Sequence, residues 1–222
     1  MIAYEEHLLT VRVPVDDTEA IRGWLTAACR TSPALTSGRE VAVEYLGVFH
    51  HTDRWFDVGD TSVFVREQAL APPARVHVHR AGGGLARETH HVEALALDAG
   101  DRPRLPAELV GVAVRRSVRV ARELWLAGNL RICLDTVACV PAGGGQFLYV
   151  EAVVDDTHPE AVCERAIAHL LDALGLARPS GYTWYADLPV PAAGVASGSA
   201  VFDQEAITAR VARLGPLSEE ER

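Results

Sequence analysis

Between Arg119 and Val154, polar and charged side chains recur at every second residue. Arg131, Cys133 and Asp135 share one face of an extended chain, as do Tyr149 and Glu151, because side chains on a strand alternate sides. Leu130, Ile132, Leu134, Leu148 and Val150 form the opposite, apolar face. An arginine fork can hold two oxygens of a phosphate or carboxylate at once, and carboxylates are the natural ligands of magnesium. A sheet of this kind can turn its charged face to bulk water, the ordinary fate of charged residues. It can also curl into a barrel with the charges lining the inside. Alternation alone leaves both open.

The strands that carry these residues read as a ribbon. Leu124–Leu126 leads into the small turn Ala127-Gly128-Asn129, Leu130–Val140 follows, and Ala142 to Gly145 turns the chain into Gln146–Val154. Upstream, Tyr4–Val15 is a strand ending at Pro14. Asp16 and Asp17 cap a helix near 17–30, with Glu19 completing a capping box and Ile21, Trp24, Leu25 and Ala28 as its buried stripe. Val41–Phe49 and Ser62–Glu67 are strands flanking the Asp57–Thr61 turn. Arg75–Arg80 and Leu85–Leu97 are strands joined by Gly82-Gly83-Gly84. That run lacks the spacing and following helix of a phosphate-binding loop, so it and Gly143-Gly144-Gly145 read as hairpin turns. Asp98–Pro106 is a loop, and Ala107–Val112 suggests a short helix. A second long helix spans about 158–174, capped by Thr157 with Glu160 and stopped by Gly175. Residues 1–188 thus form one domain, 189–203 a Pro/Ala/Gly/Ser linker and 204–222 a short amphipathic helix and tail, whose apolar stripe suggests a homodimer or docking onto the domain.

Composition sets bounds. The chain has 222 residues, enough for one substantial core, and a net charge of −9, which argues against general nucleic-acid binding. No apolar run reaches membrane-span length and no signal-peptide pattern opens the chain. The four cysteines lack zinc-ligand or CxxC spacing, and reduced thiols in a cytoplasmic protein are the simplest reading. All 21 basic residues are arginine.

Several stretches, in order, resemble the CYTH family of class IV adenylate cyclases and thiamine triphosphatases. Arg122-Glu123-Leu124-Trp125, Gly128-Asn129-Leu130-Arg131-Ile132-Cys133-Leu134-Asp135 and Phe147-Leu148-Tyr149-Val150-Glu151 are similar to its R-E-L-Y-x-x-G-N-x-R-I-H-L-D and F-L-E-L-E runs. His51-Thr52-Asp53-Arg54-Trp55-Phe56-Asp57 resembles Q-T-D-T-Y-F-D, Val65-Arg66-Glu67 resembles L-R-E, and Trp184-Tyr185-Ala186-Asp187-Leu188 resembles S-Y-A-D-L. The resemblance implies an α+β fold: an antiparallel, tunnel-like β-barrel with helices packed outside. It implies inward arginines at Arg12, Arg66, Arg80, Arg122 and Arg131 for a phosphorylated ligand. It also implies carboxylates at Asp135, Glu151 and, loosely, Glu6 for Mg²⁺ or Mn²⁺. Arg131, Asp135 and Glu151 are then the expected catalytic set.

The departures from the family pattern point to a changed ligand. Leu8, Thr10, Phe64, Cys133 and Tyr149 stand where the family carries charge or histidine. Phe64 and Tyr149 become candidate contacts to the apolar body of an organic anion. Of the histidines, His77 and His79 have the parity opposite to Arg80 and are expected outside. His91 shares parity with Arg87 and Glu93 and is the candidate general acid or base. The foremost expectation is a metal-assisted phosphohydrolase or related phosphoryl enzyme acting on an organic phosphate or polyphosphate. The alternatives are a metal-independent acid–base enzyme of the cyclase or lyase type, and a non-catalytic anion-binding protein.

Overall fold

The turn at Gly128-Asn129, with Gly128 at φ 62°, folds β8 (Arg116–Ala127) back on β9 (Leu130–Val140). The remaining strands follow the same antiparallel rule. In the computed structural model they are β1 (Ala3–Pro14), the two-stranded pair β2 (Ala34–Thr36) and β3 (Arg39–Glu40), β4 (Val43–Val58), β5 (Thr61–Gln68), β6 (Ala71–Ala81), β7 (Ala86–Ala94) and β10 (Gly144–Val153). Eight of them close a barrel in the order β1-β10-β9-β8-β4-β5-β6-β7, every neighbouring pair antiparallel. The structure describes residues 3–31, 33–36, 39–58, 61–68, 71–81, 85–100, 102–140, 143–179 and 184–188. The expected linker at 189–203, the tail at 204–222 and the Gly82-Gly83-Gly84 turn lie outside the described residues. The expected second glycine turn begins β10, where a Cβ on Gly144 would lie 2.3 Å from the Val137 carbonyl.

Period-two alternation sorts the side chains. Leu9, Val11 and Val13 of β1, Leu130, Ile132 and Leu134 of β9, and Leu148, Val150 and Ala152 of β10 face outward into one buried cluster. Two helices cover it: α1 (Thr18–Thr31) through Ile21, Leu25 and Ala28, and α2 (Glu160–Ala173) through Ala166, Ile167, Leu170 and Leu171. Each such Leu or Ile contributes about 1.5–3 kcal/mol by leaving water, so this face is what closes the barrel onto its helices. The apolar face read from the sequence is therefore the outer face, and the charged face is the bore.

Local details differ from the sequence reading. Asp17, not Asp16, caps α1, its Oδ1 accepting from the Ala20 amide at 3.0 Å. At α2 the N-cap is Pro159 with no side-chain cap; Asp155 gathers the Thr157 and His158 amides instead. The helix expected at 107–112 is one 3₁₀ turn, Ala107–Leu109, whose Leu109 packs with Phe56, Val63 and Val65. β4 does not stop at Phe49 but runs through the His51–Asp57 motif.

One end of the bore is filled. Trp55, Phe64, Val76, Val78, Val118, Val120, Val137 and Phe147 pack inside against Trp184, Tyr185, Ala186 and Leu188. Arg116, itself buried, donates to the carbonyls of Ala186 and Leu188 and ties that segment down. Among the described residues no helix is long and apolar enough to cross a membrane.

Candidate functional site

Above this plug the bore opens into a cavity of about 320 Å³. Strand alternation aims the wall into it. Glu6 and Arg12 come from β1, His51 and Asp53 from β4, Phe64 and Arg66 from β5, His90 from β7, Arg122 from β8, Arg131 and Cys133 from β9, and Tyr149 and Glu151 from β10. Trp184 and Tyr185 form its floor.

The arginines are held by acids. Arg66 donates from Nε and Nη2 to Asp53, both at 2.8 Å. Arg122 donates to Asp135 from Nε at 2.8 Å and Nη2 at 2.6 Å. Arg131 donates to Glu6 from Nη2 at 2.7 Å and from Nη1 at 3.3 Å, and its Nη1 also reaches Glu151 at 3.3 Å. Arg12 Nη1 stands 3.6 Å from Glu88 Oε1. Aromatic faces add to this. The Arg12 guanidinium lies 4.0 Å from the Tyr149 ring centroid and 4.9 Å from those of Trp184 and Tyr185, and Arg66 lies 5.1 Å from that of Phe64. Desolvation by itself disfavours these charges, and paired acids with ring quadrupoles offset it.

Protonation follows from the same arrangement. Burial pushes the Glu151 carboxyl up, but Arg122 and Arg131 outweigh it and hold Glu151 down to about 2. Burial, with Arg66 beside it, lowers His51 to about 2, so His51 is neutral although Asp53 opposes the shift. Burial raises the Cys133 thiol far above its ordinary range despite Arg122, so no thiolate forms there. Among the described side chains, Arg12, Arg66, Arg122 and Arg131 face Glu6, Asp53, Glu88, Asp135 and Glu151, one acid more than base.

Most of the residues singled out in the sequence therefore meet in one place: Glu6, Arg12, Phe64, Arg66, Arg122, Arg131, Tyr149 and Glu151 line the cavity. Asp135 lies just behind the wall, 1 % exposed. The Arg80 side chain lies outside the described residues; its backbone pairs with Glu88. His91 is a correction. It is exposed on the outer face, its Nδ1 2.7 Å from Glu5, and Arg87 is likewise outside, bound to Glu160. The inward residues of β7 are Glu88, His90 and Val92, one step out of phase with the expectation. No apolar stripe marks a buried face in Arg87-Glu88-Thr89-His90-His91, so parity there had nothing to anchor it.

The sequence reading also missed His51, Asp53, Glu88, His90 and the floor residues. For two of them a signal existed: His51 and Asp53 share strand parity, and Asp53 pairs with Arg66 across the β4–β5 hairpin. Glu88 and His90 had none.

The carboxylates expected to hold Mg²⁺ or Mn²⁺ do not form a single ion site in this arrangement. Both oxygens of Asp135 are engaged, by Arg122 and by the Tyr185 hydroxyl at 2.8 Å. Glu6 and Glu151 converge, but on Arg131. Among the described residues no cluster of three His, Cys, Asp or Glu side chains is placed to bind a metal ion.

Comparisons with known proteins extend the fold and not the sequence. Neither a protein-family model nor a curated protein matches the chain. Solved structures do. The PH1012 protein of Pyrococcus horikoshii superposes with a TM-score of 0.58 at 17 % identity, covering 82 % of this chain and 98 % of its own. A conserved hypothetical protein of Pyrococcus furiosus gives 0.54 at 13 % identity, covering 84 % and 100 %. A Bacillus halodurans protein described as an adenylate cyclase candidate gives 0.52 at 9 % identity, covering 81 % and 95 %. At these identities the likeness establishes a shared architecture: the chain folds as a closed, antiparallel tunnel barrel with its helices outside.

Proposed function

We propose that the chain is a tunnel-fold enzyme of phosphoryl chemistry that takes a small organic phosphate and compensates its charge with arginines. The observation that carries this reading is the convergence of Arg12, Arg66, Arg122 and Arg131 on one cavity whose wall also carries six aromatic side chains. Arg131 and Arg66 are the most open of the four, with side chains 33 % and 29 % exposed. Arg66 spends Nε and Nη2 on Asp53, which leaves Nη1 for a ligand oxygen. Arg131 keeps Nε. Likeness to a protein described as an adenylate cyclase candidate supports phosphoryl chemistry on this architecture.

The balance of charge narrows the substrate class. Every described arginine of the wall already has a carboxylate partner, so each phosphate group that captures one strands an acid in a poorly hydrated place. A bare polyphosphate would strand several. One phosphate on an organic body costs less, and Phe64, Trp184, Tyr149 and Tyr185 offer that body apolar surface worth about 25 cal/mol per Å² covered. The same saturation favours arginines over a resident metal, because an ion at Glu6 and Glu151 would compete with Arg131 for both.

Phosphate release from tripolyphosphate, nucleotides, thiamine triphosphate and aryl or alkyl monophosphates, each with magnesium, manganese or EDTA, tests the reading. Release from an organic phosphate that survives EDTA is expected. Strict metal dependence would restore the metal-assisted phosphohydrolase. Anion binding without any turnover would leave a binding protein.

A further inference from the structure

His90 is the inward histidine of β7, and its surroundings are built. Its side chain is 14 % exposed on the cavity wall, and its Nε2 lies 2.5 Å from Glu88 Oε2. The two sit two residues apart on one strand, so alternation puts them on the same face. The Glu88 carboxylate is fully buried and fixed from its other side. There the Thr10 hydroxyl donates to Oε1 at 2.7 Å, and Arg12 Nη1 stands 3.6 Å from the same oxygen. A carboxylate held on one oxygen can present the other in only one direction, and it presents it to Nε2. The second ring nitrogen, Nδ1, has no hydrogen-bond partner among the described residues.

The rest of the shell suits an imidazole that changes charge. On β1, Glu6 stands opposite His90 in register; on β6, Val78 does. The Phe64 ring of β5 meets the imidazole edge-on at 6.5 Å. Arg12 is separated from it by Glu88, and Glu151 of β10 contributes a further negative charge across the bore. An imidazole that lines a cavity, with one nitrogen fixed by a buried carboxylate and the other without a partner among the described residues, has the layout of a general acid–base.

We propose that His90, oriented by Glu88, is the proton-transfer group of the tunnel, a role that rests on the organic-phosphate reading above. Nδ1 takes the proton of water, or of a hydroxyl on the bound substrate, as its oxygen forms a bond to phosphorus. The bond from phosphorus to the leaving oxygen breaks, and Nδ1–H returns the proton to that oxygen. Glu88 stabilises the imidazolium in between, and His90 ends neutral as it began. Glu88 acts through His90 and is a positioning residue.

Phenyl phosphate is the probe, because its phenolate leaving group benefits from a proton donor. Binding is read by calorimetry and turnover by released phosphate, for wild type, His90→Gln, Glu88→Gln, and His90→Gly with and without added imidazole. His90→Gln should bind the probe within about twofold of wild type while turnover falls on the order of a hundredfold, the usual worth of general acid–base catalysis. Imidazole should restore turnover to His90→Gly, and Glu88→Gln should lower turnover roughly tenfold without loss of binding. Turnover by His90→Gln within threefold of wild type overturns the proposal, as does a His90→Gly variant that binds and is not rescued. A wild type that releases no phosphate from any organic phosphate removes the phosphoryl reading, and nitrogen-15 NMR of the imidazoles then decides the dyad. A neutral Nε2–H tautomer at His90 that is lost in Glu88→Gln upholds it; the Nδ1–H tautomer in wild type refutes it.

Discussion

His51 should make the protein sensitive to mild acid. Its side chain is 4 % exposed, and burial together with Arg66 lowers it to about 2 from an ordinary value of 6.5. The folded chain therefore carries no proton there over a range in which the unfolded chain carries one. Where the unfolded state binds more protons, stability falls as pH falls, here through the whole window from 6.5 down to about 2. The slope is about 1.4 kcal/mol per pH unit for one proton, so a drop to about pH 4.5 costs roughly 2.7 kcal/mol, a large share of a typical 5–15 kcal/mol. Asp53, 3.8 Å from His51 Nε2, favours the charged form, but burial and Arg66 outweigh it. Urea denaturation at a series of pH values for wild type and His51→Gln isolates this proton, since the other histidines are common to both. The wild-type midpoint should fall more steeply, with the two curves converging or crossing toward acid. Parallel pH dependences would refute the assignment of a buried, neutral His51.

Further expectations follow from the wall and the floor. Glu151 adds its own loss of stability as pH falls from 4.5 through about 2, where its carboxylate gives up Arg122 and Arg131; circular dichroism should show the steeper limb, absent in Glu151→Gln. Arg131→Met should weaken phenyl phosphate binding about tenfold to a hundredfold by calorimetry, the worth of one charge-assisted hydrogen bond. Asp135→Ala should lower stability by about 3–5 kcal/mol in urea, because it leaves the Arg122 guanidinium buried without its partner; a variant as stable as wild type would mean that Asp135 is not structural. Phe64→Lys should improve tripolyphosphate binding and weaken aryl phosphate binding, at a cost in thermal stability, since Phe64 is 3 % exposed and packs on Trp55 at 4.6 Å.

What the sequence disclosed depended on contrast between faces. β9 and β10 alternate cleanly, Arg131-Ile132-Cys133-Leu134-Asp135 and Tyr149-Val150-Glu151, so their inward residues are legible once a barrel is expected: Arg131, Cys133, Tyr149 and Glu151 line the cavity, with Asp135 just behind it. Arg12, Arg66 and Arg122 came from motif resemblance, and tertiary pairing places them in the same wall. On β7 both faces are polar, one lining the bore and the other in water, so hydrophobic pattern carries no phase information and does not distinguish His90 from His91. The pairing of Arg12, Arg66, Arg122 and Arg131 with acids is a property of contacts between strands, some of them distant in sequence, such as Glu6 with Arg131. No local reading could show that the carboxylates expected to serve a metal already serve guanidinium groups.

Among the described residues, the Trp184–Leu188 segment, fastened through Arg116, fills one end of the bore. With that end filled, the cavity is reached from the other end. A long polymer would present only its terminus to such a cavity, and the depth above Trp184 would set how much of it is reached. If the cavity turns over a substrate as proposed, product and incoming substrate would contend for the same passage, and product would inhibit competitively. A rate limited by departure would then respond to widening the mouth, at Tyr4 or Leu124, and not to changes at the floor.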